Sequence, residues 1–338
     1  MNIFVSGCKQ IYSTDFSEKK VTECKHKTFT SASLELDKNS PFYPKRGDEK
    51  IMRSDTAMAV VAVQQLLAEA GIKISREETA LYVASGVFIE NIEDHLGHLM
   101  RALEKIKDAK TEADKINLIF RASPPLLALQ TLTNSTMSFV AQYVGIKGNN
   151  ATFGNTSLSG FHALEAAVAE VTYTDNCAVV VASNVGGEYS FMMNSSLYPH
   201  TEGWKESGAV GTVLLTKKPT PNSLCRITQM ATSTHLPNLH STAIQRNWKN
   251  LLPDTKSDAI IHSGAYTEAV FQADDSYCKK LNKPTASFFT ANGNMGSANV
   301  LASLQKGIDM LAEGRSCIDL LDRDIYGRES AIRIEALK

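Results

Sequence analysis

The sequence predicts an α/β protein made of two similar halves. Three observations support this: 43% of the 338 residues are hydrophobic, short apolar runs alternate with longer helical patterns, and the order of elements starts again near residue 224. A chain of this length and apolar content can bury a large core.

Residues 2–7 (NIFVSG) read as a first strand. Their apolar run is short and follows no basic segment, so they do not read as a signal peptide. Residues 54–70 (SDTAMAVVAVQQLLAEA) form a strong helix that Ser54 or Asp55 can cap and Gly71 ends. Its apolar positions run nearly all round, which predicts burial. Residues 80–85 (ALYVAS) are the next strand. Residues 92–117 are helical, and Lys105, Lys107, Lys110 and Asp114 give them a solvated face. Pro124 and Pro125 break the chain before a helix over 126–144. A strand at 151–153, a Gly/Asn turn and a helix over 156–171 follow. Strands at 177–183 and 209–216 complete this part.

Residues 217–223 (KKPTPNS) hold two prolines and no apolar side chain, and form the best linker candidate. Beyond them the pattern repeats. Residues 225–231 are a strand, like 2–7, and 258–263 (DAIIHS) run into Ser-Gly, as ALYVAS does. Residues 287–290 lead through a Gly/Asn turn at 291–297 into a helix over 300–312, mirroring 151–171. Residues 331–336 close the chain as a strand. Halves over 1–218 and 224–338 therefore read as an internal duplication.

The 35 basic and 36 acidic residues leave a net charge of −1, which gives no electrostatic footprint for nucleic acid or an anionic membrane. No apolar stretch approaches the roughly 18 residues of a bilayer span. The six cysteines and eight histidines are scattered with no CxxC pair. No disulfide framework, metal site or cofactor is expected, and Cys177 and Cys225 read as small buried hydrophobes. The expectation is a soluble, cytoplasmic protein.

Four segments share one order with a known family. Residues 55–71 look like its early buried helix, and 148–166 (GNNATFGNTSLSGFHALEA) like the segment in which a strand delivers the nucleophile to the start of a buried helix. Residues 206–216 (ESGAVGTVLLT) are similar to its Gly/Ala-rich strand closing the first half, and 292–297 (NGNMGS) to its Lys-Ser-Asn-Ile-Gly-His type of loop. With these the chain resembles the β-ketoacyl synthase branch of the thiolase-fold proteins. The resemblance implies a five-layered α/β/α/β/α fold, with two mixed sheets sandwiching buried helices.

In that family a cysteine thiolate at a helix N-terminus takes an acyl group from a carrier protein, and two histidines assist decarboxylation and stabilise developing negative charge. Carried over, the nucleophile position falls on Gly154, the histidine positions on Ser263 and Ser297, and the loop lysine on Asn292. Tyr326, in Ile-Tyr-Gly-Arg at 325–328, stands where the family has a Gly-Phe-Gly-Gly gating loop. Glycine cannot hold a thioester, and serine does not titrate near pH 7. His262 lies one residue from the expected histidine, but in a strand that slip turns the side chain to the opposite face. Ser157 and Ser159 are substitute nucleophiles on one reading and first-turn caps on the other.

The resemblance thus implies a catalytically blank partner subunit, akin to the chain length factors of type II polyketide synthases. Its partners would be an active ketosynthase and an acyl carrier protein. Thr133, Thr136, Met137, Phe139 and Val140 are candidates for lining the product tunnel at the heterodimer seam, with ordinary core packing as the other reading of each. Gly154, where aromatic systems carry glutamine, and a short second half lean toward an aryl-polyene or other polyene system. Two further readings stay open: an acyltransferase or hydrolase using Ser157, Ser159 or His262, and a carrier-binding scaffold homodimer.

Overall fold

Two strands of the first half are apolar at nearly every position because each is covered on both faces. In β4 (Ala80–Ser85) and β6 (Ala178–Asn184), the side chains of Ala80, Tyr82, Ala84, Ala178, Val180 and Ala182 enter one core cluster. Those of Leu81, Val83, Val179 and Val181 enter another. The computed structural model describes residues 1–21, 27–35, 37–71, 74–86, 92–122, 129–130, 132–154, 156–195, 201–234, 251 and 256–337.

With β1 (Ile3–Tyr12), β5 (Asn150–Gly154) and β8 (Ala209–Thr216), these strands form a half-sheet in the order β1-β8-β6-β4-β5. The second half supplies β9 (Cys225–Thr234), β10 (Ala259–His262), β11 (Thr285–Ser287), β12 (Cys317–Arg323) and β13 (Arg328–Glu335) in the order β9-β13-β12-β10-β11. Numbered within its own half, each order is 1-5-4-2-3. The pairings match as well: first with last and last with fourth are antiparallel, and the remaining pairs are parallel. The duplication seen as a pattern of residues is thus a repeat of topology. Strands β1 and β9 pair antiparallel over Ile3–Ile227 to Val5–Cys225. They join the two mixed five-stranded sheets into one hydrogen-bonded sheet of ten.

Helices α6 (Ser159–Thr174) and α10 (Asn299–Ala312) fill the space between the half-sheets. Phe161, Leu164, Leu301 and Leu304 share one cluster with inner-face residues of both halves. Helices α2 (Ser54–Ala70) and α5 (Ser135–Val144) cover the outer face of the first half, and α8 (Glu268–Lys280) covers that of the second. The five expected layers are therefore present.

Several boundaries differ from the sequence reading. The α2 helix ends at Gly71 in the left-handed conformation, as expected, but is entered through Arg53 without a side-chain cap. The Asp55 carboxylate is taken up by Arg53 instead. Residues 92–117 are not one helix but two, α3 (Ile92–Ile106) and α4 (Glu112–Ala122), packed on each other. Of the helix expected over 126–144, residues 129–130 are helical, 133–134 form a turn, and the helix α5 starts at Ser135. Pro124, Pro125 and residues 126–128 lie outside the described residues. Strands β2 (Ser17–Val21), β3 (Lys27–Ala32) and β7 (Lys205–Ser207), which form a separate small sheet, were not anticipated, nor were β12 and α8. The short helices α1 (Arg46–Glu49), α7 (Glu188–Ser195) and α9 (Phe289–Asn292) complete the elements used below. Among the described residues no helix is long and apolar enough to cross a membrane.

The halves approach each other tightly at Gly160 in the first turn of α6. A Cβ there would lie 2.0 Å from the carbonyl oxygen of Ser297, so only hydrogen fits. Replacing Gly160 by Ala is expected to lower unfolding stability by about 1–3 kcal/mol in urea titration through overpacking. Gly47→Ala, where nothing lies within 4 Å, should be neutral or slightly stabilising.

Candidate functional site

The parallel strands β4, β5 and β6 end at Ser85, Gly154 and Asn184, and β10 ends at His262. In open parallel sheets such carboxyl ends are where sites form. A small cavity of about 20 Å³ lies there, lined by Gly86, Thr156, Ser157, Asn184, Ser190, Asn194, Tyr266, Gly296, Ser297, Ile325 and Tyr326. That is room for about one water. Among the described residues no group of three or more His, Cys, Asp or Glu is placed to hold a metal ion.

Of the five positions matched in sequence to the family, Ser297 and Tyr326 line this cavity, and Gly154, Ser263 and Asn292 do not. Ser297 is fully buried and its hydroxyl donates to the Ser183 carbonyl at 2.6 Å. Ser263 donates to Asp322 Oδ1 at 2.9 Å and does not line the cavity. Asn292, at the end of α9, is buried, and among the described residues its Nδ2 has no hydrogen-bond partner. Gly154, the last residue of β5, is exposed. A Cβ there would meet only Thr133 Cγ2, at 3.9 Å, so its glycine answers no steric demand. Tyr326 sits in the β12–β13 turn. Asp324 holds that turn by accepting the Tyr326 N–H at 2.9 Å and the Arg328 N–H at 3.0 Å.

The substitute nucleophiles fare no better. Ser157 donates to the Arg323 carbonyl at 3.3 Å, and Ser159 Oγ accepts the Thr156 N–H at 3.3 Å in a turn preceding α6. That helix starts at Ser159, three residues later than expected. His262 faces the outer layer: its ring stacks on Phe271 of α8 with centroids 5.7 Å apart, and Nε2 lies 3.7 Å from Asp275 Oδ1. Its neighbour Ile261 points to the central helices instead. Burial pushes the Cys8 thiol up to about 12, Cys317 up to about 11, and Cys177 and Cys225 upward as well. A nucleophilic thiolate requires the reverse shift.

The five tunnel candidates divide. Thr133 is exposed and lies beside Gly154 just before α5. Met137 accepts a hydrogen bond from Thr152 on β5 at 3.4 Å. Phe139 and Val140 pack in the outer cluster with α2. Thr136 belongs to a buried polar network that sequence reasoning missed. Arg53 donates through Nε to Asp55 Oδ1 at 2.9 Å and through Nη2 to Asp55 Oδ2 at 3.2 Å, Ser85 Oγ at 3.1 Å and Thr136 Oγ1 at 3.2 Å. Ser183 Oγ completes the Asp55 shell at 2.8 Å. The adjacent Arg53 and Asp55 on a helix start were the available signal.

A second group was also missed. Glu206 is buried at the start of α7, where its carboxylate accepts the Gly187 N–H at 3.0 Å and the Ser190 hydroxyl at 2.9 Å. Asn194 Nδ2 donates to Ser190 Oγ at 3.3 Å. Burial drives the Glu206 acid from 4.5 up to about 7, against the pull of those donors. Trp204 and Tyr266, with centroids 4.5 Å apart, cover it together with Phe191 and Phe29. Nothing in the local sequence marks this carboxylate as buried.

No family model and no curated protein sequence matches the chain. Solved structures do. One is a type II polyketide synthase ketosynthase in complex with its acyl-carrier protein, with TM-score 0.72 and 16% identity over 99% of each chain. Another is a β-ketoacyl synthase from Burkholderia phymatum, with TM-score 0.71 and 13% identity over 100% of each chain. A third is a ketosynthase from module 6 of the bacillaene synthase of Bacillus subtilis, with TM-score 0.68 and 10% identity over 100% of this chain and 71% of that one. The chain therefore has the ketosynthase fold.

Two outcomes are expected from this geometry. Gly154→Ala should leave unfolding stability within about 0.5 kcal/mol in urea titration, because the site is open and its φ is not left-handed. For Glu206, the native state favours the protonated acid. Its contribution is fully present below pH 4.5 and is lost as pH rises through about 7. Wild type should lose roughly 3 kcal/mol between those limits, and Glu206→Gln should remove that part of the slope in unfolding measured from pH 4.5 to 8.

Proposed function

We propose that this chain is a non-catalytic ketosynthase-like subunit, a chain length factor that pairs with an active ketosynthase and shapes the tunnel in which its product grows. The observation that carries this reading is the centre of the fold. Glycine and two serines stand at the positions that the sequence resemblance matches to the family's nucleophile and histidines. Both serines are committed to local hydrogen bonds, and Ser297 lines a cavity the size of a water. A subunit that does no chemistry can still shape a cavity with its surface.

Two surface features support a partner. β5 ends the ten-stranded sheet, and its sequence NATFG carries neither charge nor proline. An edge so unprotected is a pairing edge. Apolar side chains are exposed nearby in sequence: Met100, Leu103, Ile116 and Phe120 on α3 and α4, and Leu129 and Leu132 just before Thr133. Thr133 and Met137 flank β5 and so belong to this seam. One neighbour was solved as a ketosynthase with its acyl-carrier protein, which supports a carrier protein as second partner. Gly154 and the short second half favour a polyene system over an aromatic one.

The test is co-expression with an active ketosynthase encoded beside this chain, then size exclusion and intact-mass analysis after incubation with acyl- and malonyl-loaded carrier protein. A one-to-one complex with acyl mass only on the ketosynthase is expected. Asn150→Lys, a charge placed on the β5 edge, should weaken pairing at least about tenfold without changing the melting temperature. Acyl mass on this chain would replace the reading with an acyltransferase, Ser190 being the acceptor favoured by its bond to Glu206. A homodimer that ignores the ketosynthase would replace it with a scaffold.

A further inference from the structure

A cavity of about 610 Å³ lies away from the Ser297 site, between the end of β1, the segment after β3 and the outer face of α2. That volume falls in the range of small-molecule sites, roughly 300–1,000 Å³. The cavity shares no lining residue with the one at Ser297 and Tyr326.

Its floor is made of core side chains. Leu34, Met58 and Val61 are 7%, 3% and 2% exposed, and Leu34 and Met58 pack in the α2 cluster. The floor is therefore preformed and held by the fold. The rim carries three exposed carboxylates, Asp15, Glu35 and Asp37. Among the described residues none of them has a cationic partner. The neighbouring lysines are committed elsewhere, Lys38 to Glu49 and Lys9 to Glu69. Among the described residues the one bond formed by a rim carboxylate is that of Asp37 Oδ1, which accepts the Asn39 N–H at 3.1 Å.

We propose that this groove binds a small amphiphilic amine, its protonated nitrogen among Asp15, Glu35 and Asp37 and its hydrocarbon body on Leu34, Met58 and Val61. The two parts select in different ways. Three uncompensated carboxylates repel an acid of the same shape, and they give a neutral alcohol nothing that water does not. The apolar floor gives a polyamine, which has charge without a continuous hydrocarbon body, no surface to bury. Because it uses neither the β5 edge nor the family positions, the site stands or fails apart from the subunit reading above.

The test is calorimetric titration of the full chain with decylamine, decanol, decanoate and spermine, each below its aggregation limit. Decylamine should bind at least about tenfold more tightly than the other three, and high salt should erase most of its lead over decanol. The triple variant Asp15→Asn, Glu35→Gln, Asp37→Asn alters only exposed side chains and should fold normally. It should weaken decylamine at least about fivefold and leave decanol unchanged. Equal binding of decylamine and decanol would overturn the charged part of the proposal, and so would a triple variant that binds decylamine like wild type. Spermine binding as tightly as decylamine would overturn the apolar part.

Discussion

The tight contact between the halves where the Ser297 carbonyl crosses Gly160 at the start of α6 decides how much space the centre of this fold can hold. The loop that makes the contact is fixed from both sides. Ser297 Oγ donates to the Ser183 carbonyl at the end of β6, in the first half. Asn294 Nδ2 donates to the Ala265 carbonyl in the second half, and its Oδ1 takes the Gly296 N–H at 2.7 Å. Neither half can retreat without breaking a buried hydrogen bond, and an orphaned buried group costs about 1–3 kcal/mol. The cavity beside the contact is small because the contact is tight, and the strand ends around it inherit that rigidity.

Most of the fold was legible because two-sided burial leaves continuous apolar runs. ALYVAS and AVVVASN could hardly be anything but inner strands, and the restart of the pattern after KKPTPNS gave the duplication that the 1-5-4-2-3 order repeats. The misses share a physical cause, which is buried charge. The β12 strand, CIDLLDR, is buried throughout although three of its seven residues are charged. Asp319 forms a bidentate pair with Arg333 on β13, at 2.8 and 3.0 Å, and Asp322 accepts the Ser263 hydroxyl. Arg323 lies 3.7 Å from Asp274. Each partner is remote in sequence or on another element, so a window along the chain sees a polar loop. The small sheet of SEKKV, KTFTSA and KES was hidden in the same way, its polar strands offering no alternation to read.

The site candidates came from motif matches, which give a place in the chain and not the hydrogen-bond partners found there. At Ser263 and Ser297 the structure shows what a motif match cannot: the Ser263 hydroxyl meets Asp322 Oδ1 and the Leu321 carbonyl, and the Ser297 hydroxyl meets the Ser183 carbonyl. Phe139 and Val140 were tunnel candidates because their helix resembles the family's segment near the dimer seam, with core packing as the other reading, and in the structure both pack in the cluster shared with α2. Helical periodicity gives the direction of a face and does not say whether a neighbouring helix or a partner covers it. Glu206 was unreadable for the opposite reason. Its sequence neighbours, Lys205 and Ser207, suggest a surface strand, while the Trp204–Tyr266 cover comes from residues far apart in the chain.

Under the proposed function, these features bear on why a centre without chemistry keeps its architecture. Removing a titrating histidine from a buried position leaves its former partners to be satisfied. A serine does this well when a carbonyl or carboxylate lies within reach, as Leu321, Asp322 and Ser183 do here. Larger polar investments sit one layer out, in the Arg53–Asp55 network that ties the start of α2 to the ends of β4 and β6 and to α5. Breaking such a pair by removing one partner typically costs about 3–5 kcal/mol. The strand ends are thus held in place by a buried polar network that does not line the small cavity. In that arrangement the geometry of the β5 edge, with Thr133 and Met137 beside it, does not depend on which residue occupies position 154. A surface can then be retained for a partner after the chemistry behind it is gone.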